Sequence, residues 1–481
     1  MCGISFFFDQ KKSSNINFSI KKMIKKLNHR GPDGNNFWSN QELGIAIGHN
    51  RLSVIDLSDK GSQPMKSNGG RYIISFNGEI YNFLNLKKKI DEKYKVDWVG
   101  KSDTEVLINF IEIFGIDYAL SEIDGMYSFI LFDLKLNHLF LVRDKFGEKP
   151  MYYYKNKNIF AAASEIKSLL TIENIDRSIN NLALENFYKN AYVPGNLTIF
   201  KYIHKLEQGN ILKLNLNNNQ DMIYEKKVFY NYELSKKNNY NNNLEYLNEG
   251  IITERIENAL VESILTRQIS DRKLGTFLSS GKDSALITSI LQKNSINKID
   301  TFCLALEDKN LDESQGAEKI SKHLKTNFHK ILLKDNEVKN SFEDMINTFD
   351  EPFGDSSSIL MYHLSKYAKD KVTVCLTGDG SDEIFGGYNR YYKLLKIKKL
   401  RNNFFKFIFN KFEKIISKNP YLLDNTICKK LLGKKNLYQS FKSLNFYLKK
   451  KNLAKIYEQM SNFNYDIFDN EKSKIMLSKE Y

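Results

Sequence analysis

The second residue of the chain is a cysteine, and a glycine follows it. Removal of Met1 would leave Cys2 with both its thiol and a free α-amine. An α-amine has a pKa of about 7.7–8.0, so near neutral pH it can take the thiol proton as a built-in general base. This start therefore predicts an N-terminal nucleophile. The alternative is an ordinary cysteine opening a buried strand, and the isolated tripeptide favours that alternative.

Three polar stretches further along could complete an amide-hydrolysing site around such a nucleophile. Arg51, which opens the run Arg51-Leu52-Ser53-Val54-Ile55, offers a guanidinium suited to a substrate α-carboxylate. Asn77 and Gly78 follow a predicted strand, where a side-chain amide and a backbone N–H can form an oxyanion hole. Asp103 opens a predicted helix, so its carboxylate either caps that helix or binds a substrate ammonium. Each stretch also has an ordinary interpretation as a turn, a cap or a surface ion pair.

A second group of residues, far along the chain, has the pattern of a phosphate-binding loop. It is placed where a predicted strand turns into a helix, so that successive backbone N–H groups and the helix N-terminus can hold a pyrophosphate. The loop lacks the Walker pattern, and the alternative is an ordinary turn capped by Asp283 or Ser284. Its residues are Ser279, Ser280, Gly281, Lys282, Asp283 and Ser284.

A further glycine-rich turn supplies carboxylates of the kind that bind Mg²⁺. The strand-like stretch 372–376 leads into Thr377-Gly378-Asp379-Gly380-Ser381-Asp382. Asp379 and Asp382 can hold a magnesium ion or orient a substrate carboxylate. The two turns together predict an ATP site. The stretch Asp350-Glu351-Pro352-Phe353-Gly354-Asp355-Ser356-Ser357 adds acidic and hydroxyl groups at a predicted third loop, with a helix cap as the alternative for Asp355.

The elements that must position these residues fall into two regions. Up to about residue 210, short strands such as 71–76 and 127–132 lie between helices such as 19–27 and 104–114, which predicts an α+β fold of layered sheets. From about residue 250, helices and strands alternate as in a parallel α/β sheet, whose strand ends bind ligands. An Asn-rich stretch separates the two regions. We therefore predict domains at 1–213 and 250–481, joined by a surface connection at 214–249.

Composition argues against several classes of protein. The chain has 481 residues, is 42% hydrophobic and has no long uncharged apolar stretch, so neither a disordered nor a membrane-spanning protein is expected. The net charge of +15 comes from scattered lysines without interleaved aromatic residues, so no nucleic-acid partner is predicted. Four widely spaced cysteines and a start without signal-peptide features predict a reducing, cytoplasmic location.

In order and density, the N-terminal motifs resemble the glutaminase domain of class II, N-terminal-nucleophile glutamine amidotransferases, as fused in the glutamine-hydrolysing asparagine synthetases. The resemblance implies that Cys2 attacks the glutamine amide while Asn77 and Gly78 hold the oxyanion. It also implies glutamine binding by the run 51–55, Glu79 and Asp103. The matching motifs are Cys2-Gly3-Ile4, Arg30-Gly31-Pro32-Asp33-Gly34, Arg51-Leu52-Ser53, Asn77-Gly78-Glu79-Ile80-Tyr81-Asn82, Ser102-Asp103-Thr104-Glu105, Arg143-Asp144-Lys145-Phe146-Gly147 with Lys149-Pro150, and Ala163-Ser164-Glu165-Ile166-Lys167.

The later motifs are similar to the synthetase domain of the same family, an ATP pyrophosphatase with an SGGxDS loop. The resemblance implies an N-terminal-nucleophile hydrolase sandwich followed by a parallel-sheet ATP-pyrophosphatase domain. Its implied substrates are glutamine, ATP and aspartate, with Mg²⁺ as cofactor, and a homodimer stays open. By this resemblance, Leu278 and Leu304 line the adenine, 279–284 the phosphates, Thr377 and Gly378 also touch ATP, Asp379 takes the position linked to acyl-adenylate formation, and Asp283 and Asp382 bind magnesium pyrophosphate.

Two departures from the family pattern leave alternatives open. Ser280 stands in place of the usual first glycine, and Lys282 precedes Asp283. The KVDR-like motif with a catalytic lysine and the LExRxPFLD-like motif are not found before Tyr481, so we expect a shortened variant, a truncated chain or substitute residues. A sugar acid or another small acid could then be the acceptor. Alternatively, the chain is a glutaminase carrying a non-catalytic ATP-binding module.

Overall fold

A computed structural model describes residues 1–217, 222–233, 235, 248–400 and 457. The chain forms two compact units, of which the first combines Met1–Phe187 with Tyr192–Thr377. The second combines Tyr188–Ala191 with the chain from Gly378 onward. The strands are β1 Gly3–Asp9, β2 Gly34–Asn40, β3 Ile45–Arg51, β4 Met65–Lys66, β5 Tyr72–Ile80, β6 Gly125–Asp133, β7 His138–Arg143, β8 Tyr152–Lys155, β9 Ile159–Ala163, β10 Ile203–Lys205, β11 Asn210–Asn215, β12 Tyr224–Val228, β13 Leu274–Phe277, β14 Asp300–Leu306, β15 Asn327–Leu333 and β16 Val374–Leu376.

The helices lie between and after these strands. They are α1 Ile16–Lys26, α2 Phe83–Asp91, α3 Asp103–Phe114, α4 Ile116–Glu122, α5 Ile166–Leu169, α6 Asn181–Asn190, α7 Glu249–Thr266, α8 Lys282–Lys293, α9 Ser314–Leu324, α10 Asp335–Asn340, α11 Phe342–Thr348, α12 Ser357–Ala368, α13 Ser381–Phe385 and α14 Asn389–Leu400. Among the residues that the structure describes, none of these helices is long and apolar enough to cross a membrane.

The N-terminal half is a four-layer sandwich of two antiparallel six-stranded sheets between helices. One sheet has the strand order β10-β8-β9-β1-β3-β2 and the other β12-β11-β7-β6-β5-β4. Along β1, Ile4, Phe6 and Phe8 pack between the sheets, whereas Phe7 packs outward against α1. This alternation follows from the two-residue period of a strand. The opposite face of the second sheet packs against α2, α3 and α4. The predicted α+β sandwich is confirmed.

The C-terminal half has a four-stranded parallel sheet in the order β15-β14-β13-β16. Helices connect its strands, and α8 packs with α7 against β13. Because parallel strands end at the same edge, the segments after Phe277, Leu306 and Leu376 lie at one edge of this sheet. The predicted parallel α/β sheet is also confirmed.

The predicted connection at 214–249 needs a correction. β12 lies inside this stretch and pairs with β11 as the edge strand of the second sheet. Its sequence, Tyr-Glu-Lys-Lys-Val, is polar because most of its side chains face solvent, and this polarity made it look like a loop. The Asn-rich runs themselves and the chain after 400, apart from residue 457, lie outside the described residues. The domain limits 1–213 and 250–481 stay a prediction, since the compact units divide the chain at Thr377.

Candidate active sites

A cavity of about 280 Å³ opens at the N-terminus of the chain. The loop after β3, the carboxyl end of β5 and the start of α3 form most of its wall. Thr373, which precedes β16, and Val374 and Cys375, which begin it, form another part of the wall. The cavity brings together every residue that the sequence assigns to the glutamine site: Cys2, Arg51, Leu52, Ser53, Val54, Ile55, Asn77, Gly78, Glu79 and Asp103.

Cys2 is held at this cavity by contacts to its backbone and its sulfur. The Leu52 N–H donates to Cys2 Sγ at 3.4 Å, and Sγ lies 3.6 Å from the Leu52 carbonyl oxygen. Arg30 Nε donates to the Cys2 carbonyl oxygen at 2.9 Å. Burial raises the pKa of the Cys2 thiol, whereas burial lowers the pKa of the Met1 α-amine to about 6. A thiol held protonated in this way needs an adjacent base before it can attack a carbonyl.

Asn77 and Gly78 lie near the carboxyl end of β5 and offer two groups that suit an oxyanion. Asn77 is 1% exposed, yet within the described residues neither its amide oxygen nor its amide nitrogen has a hydrogen-bond partner. A buried amide without a partner is unfavourable unless a ligand satisfies it. At Gly78 a Cβ would lie 2.1 Å from the Met126 carbonyl oxygen on β6, so no larger residue fits there.

Two carboxylates, that of the half-buried Glu79 and that of the buried Asp103, face the same cavity. Burial and the nearby Asp103 raise the pKa of Glu79 to about 7. Burial also raises the pKa of Asp103 to about 6, although the Ile80 and Thr104 N–H groups donate to its carboxylate at 2.9 and 2.8 Å. The helix cap itself is Ser102, whose hydroxyl accepts from the Glu105 N–H at 3.2 Å. Asp103 is therefore not the cap of α3, and its carboxylate lies where it could meet a substrate ammonium.

The Arg51 side chain binds backbone carbonyl groups of the loop that follows β3. Its guanidinium donates to the Ser58 carbonyl oxygen at 2.7 Å and also to the Asp56 carbonyl oxygen. A Cβ at Gly61 would lie 2.2 Å from Arg51 Nη2, so this glycine leaves room for the guanidinium. Arg51 thus shapes the loop over the cavity while it forms part of the cavity wall.

The raised pKa of Glu79 predicts a pH-dependent stability. The folded state binds this proton more tightly than the unfolded state, so the contribution is full below about pH 4.5 and is lost as pH rises through about 7. Between pH 5 and pH 8 we expect the wild type to lose roughly 2 kcal/mol of unfolding free energy relative to Glu79→Gln. Urea unfolding of both proteins at both pH values measures this difference. Equal pH dependence in the two proteins would contradict the assignment.

Lys149 is a charged group of this cavity that sequence reasoning did not assign to the site. It is 8% exposed, its Nζ lies 2.9 Å from Met126 Sδ, and burial lowers its pKa. Met126 pairs with Glu79 across β5 and β6, so the ammonium and the Glu79 carboxylate share one wall. The motif Lys149-Pro150 was visible in the sequence, but a lysine there reads as a surface residue until burial is known.

The predicted phosphate loop joins β13 to α8 and is open to solvent. The Ser279 and Ser284 hydroxyls lie 3.0 Å apart, and the Gly281 N–H donates to Ser279 Oγ at 3.0 Å. The first N–H groups of α8, from Lys282 onward, begin a twelve-residue helix. Hydroxyls and free N–H groups at a helix start suit a phosphate, so the donor set fits the nucleotide that the sequence predicts. Leu278 is buried in a small core with Cys303 and Ala317, and Leu304 is partly buried on β14.

The turn after β16 begins at Thr377, and its remainder belongs to the second compact unit. Gly380 has φ +88° and lets the chain turn sharply before α13. A Cβ at Gly387 would lie 1.9 Å from Asp382 Oδ1, so the close approach of that carboxylate requires a glycine. Asp379 is exposed. Carboxylate oxygens are ligands that Mg²⁺ accepts, although no three His, Cys, Asp or Glu side chains cluster as a metal site in the described part of the chain.

Comparison with known proteins agrees with this arrangement. The profile of glutamine amidotransferase domains matches residues 1–227, and the asparagine synthase profile matches residues 255–466. A relative from Methanocaldococcus jannaschii, named provisionally as a second glutamine-hydrolysing asparagine synthetase, is 33% identical over 422 residues, which are 83% of this chain and 78% of the relative. The chain belongs to the glutamine-hydrolysing asparagine synthetase family.

Two further comparisons set the extent of the likeness. Asparagine synthetase 1 of Bacillus subtilis is 30% identical over 404 residues, and the match spans 83% of this chain but only 60% of that family member. The solved structure of a Bacillus subtilis glutamine phosphoribosylpyrophosphate amidotransferase covers 75% of this chain and 70% of its own, at 14% identity and a TM-score of 0.34. A likeness at that score carries no argument about function. Membership of the family establishes a glutamine-dependent, asparagine-synthetase-like amidotransferase.

Proposed function

We propose that this chain transfers the amide nitrogen of glutamine to aspartate, with ATP converted to AMP and pyrophosphate. The observation that carries the proposal is the one cavity that joins Cys2, the Glu79 and Asp103 carboxylates and the Asn77 amide, which has no hydrogen-bond partner among the described residues. Cys2 attacks the glutamine amide carbon, and the amine that Met1 removal would expose takes the thiol proton. Asn77 and Gly78 donate to the oxyanion, ammonia leaves, and water hydrolyses the thioester to glutamate.

The substrate ends are recognised by opposite charges. Glu79 and Asp103, which both line the cavity, bind the α-ammonium of glutamine. Arg51, supported by the Leu52–Ile55 run, binds its α-carboxylate. Lys149 lies beside Glu79 and favours its ionised form. The site therefore selects a zwitterionic amino acid over a simple amide.

The strand β16 lines the glutaminase cavity and also belongs to the sheet of the synthetase half, so it offers a route for ammonia between the two. Thr373, Val374 and Cys375 line the cavity, and the same strand ends at Leu376, beside β13 and its phosphate loop. At about 3.3 Å per residue, the step from Thr373 to Thr377 is about 13 Å. Ammonia is mostly protonated in water, and the ammonium ion is no nucleophile. A dry passage along β16 would deliver it unprotonated.

In the synthetase half, the residues 279–284 with Thr377 and Gly378 would hold the phosphates of ATP, and Leu278 and Leu304 would line the adenine. Asp379 would orient the acceptor carboxylate for attack on the α-phosphate. Asp283 and Asp382 would hold Mg²⁺, which neutralises pyrophosphate charge when bound. The unusual Ser280 fits this loop: a Cβ at Gly316 would lie 2.7 Å from Ser280 Cβ, so the facing glycine provides its space.

The test follows all products together. The purified chain is incubated with glutamine, MgATP and aspartate, and glutamate, AMP, pyrophosphate and asparagine are measured. We expect the four products in equal amounts. Glutamate without AMP would contradict the synthetase assignment for aspartate.

The departures at Ser280 and Lys282 favour a second candidate acceptor, another small carboxylic acid. Acceptor-dependent AMP formation across a panel of amino acids and sugar acids distinguishes the two. Absence of AMP with every acceptor would instead indicate a glutaminase joined to a non-catalytic nucleotide-binding module.

A further inference from the structure

A continuous line of charged contacts runs from the synthetase half to the backbone of Cys2. We call it the Asp350–Cys2 chain; its members are Asp350, Lys167, Glu165, Arg30 and Cys2. Asp350 Oδ1 lies 3.3 Å from Lys167 Nζ, and Lys167 Nζ lies 3.3 Å from Glu165 Oε2. Arg30 Nη1 donates to Glu165 Oε1 at 2.8 Å, and Arg30 Nε donates to the Cys2 carbonyl oxygen at 2.9 Å.

The charged side chains of the Asp350–Cys2 chain are largely shielded from water. The exposed fractions of the side chains are 7% for Arg30, 15% for Glu165, 22% for Lys167 and 11% for Asp350. Burial alone would raise the pKa of Glu165, but hydrogen bonds and charge from His29 and Arg30 outweigh it and lower the pKa to about 2. Charge pairs at such sites keep their geometry, because breaking one leaves an uncompensated buried charge.

Asp350 joins the chain from a segment that the sequence assigns to a third nucleotide loop. The structure instead places its carboxylate on the N-terminal half, where Oδ2 accepts from the Lys167 N–H at 3.0 Å. Lys167 Nζ also donates to the carbonyl oxygens of Asn347 and Thr348, at 3.0 and 3.2 Å, in the last turn of α11. One ammonium thus fastens both the end of α11 and Asp350 to the segment that carries Glu165.

At its far end, the Asp350–Cys2 chain holds the backbone of the nucleophile, Cys2. A terminal residue frays unless contacts hold it. Ser164, next to Glu165, is bonded to β1 through Ser164 Oγ, which accepts from the Ile4 N–H at 3.0 Å. The Arg30 hydrogen bond then fixes the Cys2 carbonyl, two residues before Ile4. The direction of the Cys2 side chain therefore depends on where Glu165 holds Arg30.

We propose that Lys167 is a positioning residue for Cys2, and that Asp350 of the synthetase half completes the glutaminase site through it. The inference rests on the proposed role of Cys2 as the glutaminase nucleophile. Loss of the Lys167 ammonium removes one of the three cationic contacts of Glu165, the other two being His29 and Arg30, and releases the Asp350 carboxylate. The Cys2 thiol then samples directions away from the oxyanion donors. Glutamine still binds, since Lys167 does not line the cavity.

A neighbouring ion pair provides the matched control. Lys205 Nζ lies 2.5 Å from Glu351 Oε1, and the Ile199 N–H donates to Glu351 Oε2 at 3.2 Å. This pair joins the same two parts of the chain, with similar burial of its side chains, 15% exposed on each. The other hydrogen bonds of this pair join Glu351 to Ile199 and Lys205 to Val193, and neither involves Arg30. Lys205→Met therefore removes an equivalent attachment without touching the Asp350–Cys2 chain.

The experiment compares Lys167→Met, Asp350→Asn, Lys167→Arg and Lys205→Met in the full chain. For Lys167→Met we expect kcat for glutamine hydrolysis to fall about tenfold or more, with KM for glutamine unchanged within about twofold. Asp350→Asn should also lower kcat for glutamine hydrolysis. The double variant Lys167→Met/Asp350→Asn should have a kcat no lower than that of Lys167→Met alone. Lys167→Arg should have a higher kcat than Lys167→Met, and Lys205→Met should have the kcat of the wild type. Thermal unfolding of each variant verifies that it is folded.

The possible results separate the inference from the proposed function. No glutamine hydrolysis by the wild type would overturn the function of Cys2 itself. An active wild type with equal kcat in Lys167→Met and Lys205→Met would overturn the positioning role. So would a loss expressed in KM alone, or additive losses in the double variant. Lys167→Met and Lys205→Met should keep the wild-type rate of ammonia-dependent amidation, because that reaction does not use the Cys2 thiol.

Discussion

Replacement of Cys2 by alanine is expected to abolish glutamine hydrolysis while leaving ammonia-dependent amidation intact. Cys2 and Asn77 line the same cavity, and of the two thiols in its wall, those of Cys2 and Cys375, only that of Cys2 belongs to the glutaminase half with the Asn77 amide. Removal of a catalytic nucleophile typically costs several orders of magnitude in kcat, and we expect a fall of at least about 10³-fold. Glutamate release and AMP formation are measured with glutamine or with ammonium salt as the nitrogen donor.

The control for this variant is a thiol that does not line the cavity. Cys303 lies on β14 in the parallel sheet, 4% exposed and away from the cavity. Cys303→Ala should keep the glutaminase rate of the wild type. Glutamine hydrolysis that survives in Cys2→Ala would show that a different residue is the nucleophile. Loss of the ammonia-dependent reaction in Cys2→Ala would mean that the two half-reactions are not separable in this chain.

Replacement of Asn77 by alanine is expected to reduce kcat for glutamine hydrolysis by about 10²–10³-fold, the usual cost of losing one oxyanion donor. The same change should not lower the melting temperature. In the described residues the Asn77 amide has no hydrogen-bond partner, so alanine removes a buried polar group that the fold leaves unsatisfied. Steady-state kinetics and thermal unfolding of the same preparation test both parts.

Asn109 provides the opposite control. This buried amide on α3 accepts from the Asn68 N–H at 2.8 Å and donates to the Glu105 carbonyl oxygen at 2.9 Å. Asn109→Ala should therefore lower the melting temperature and leave kcat for hydrolysis near the wild-type value. If Asn77→Ala instead behaves like Asn109→Ala, the Asn77 amide serves the fold and the oxyanion assignment fails.

The glutaminase site was largely predictable from the sequence because its chemistry is concentrated in short motifs. A strand end such as Asn77-Gly78 places its groups by local backbone geometry, and a helix start such as Asp103 does the same. The sequence could not show which polar groups lack partners. That the Asn77 amide has no partner in the described part of the chain, or that Ser102 rather than Asp103 caps α3, depends on contacts that the local sequence does not reveal.

Charged residues were the least predictable part. Lys149 and Lys167 look like two of many lysines in a chain with 72 Lys and Arg residues. Only burial and the position of their partners distinguish them, since Asp350 lies 183 residues from Lys167 along the chain. The same limit applies to β12, whose polar sequence predicts a loop but whose backbone extends a sheet. Local patterns report local structure, and these three features are set by long-range packing.

The most direct test of the account follows the nitrogen atom itself. The purified chain is given glutamine labelled with ¹⁵N in the side-chain amide, MgATP and aspartate, in the presence of excess unlabelled ammonium chloride. Mass spectrometry then measures the label in the amide of asparagine. We predict that the label is retained above the proportion expected from mixing, because ammonia released at Cys2 travels along β16 without equilibrating with solvent. Complete dilution of the label, or labelled ammonium with no labelled asparagine, would contradict the account.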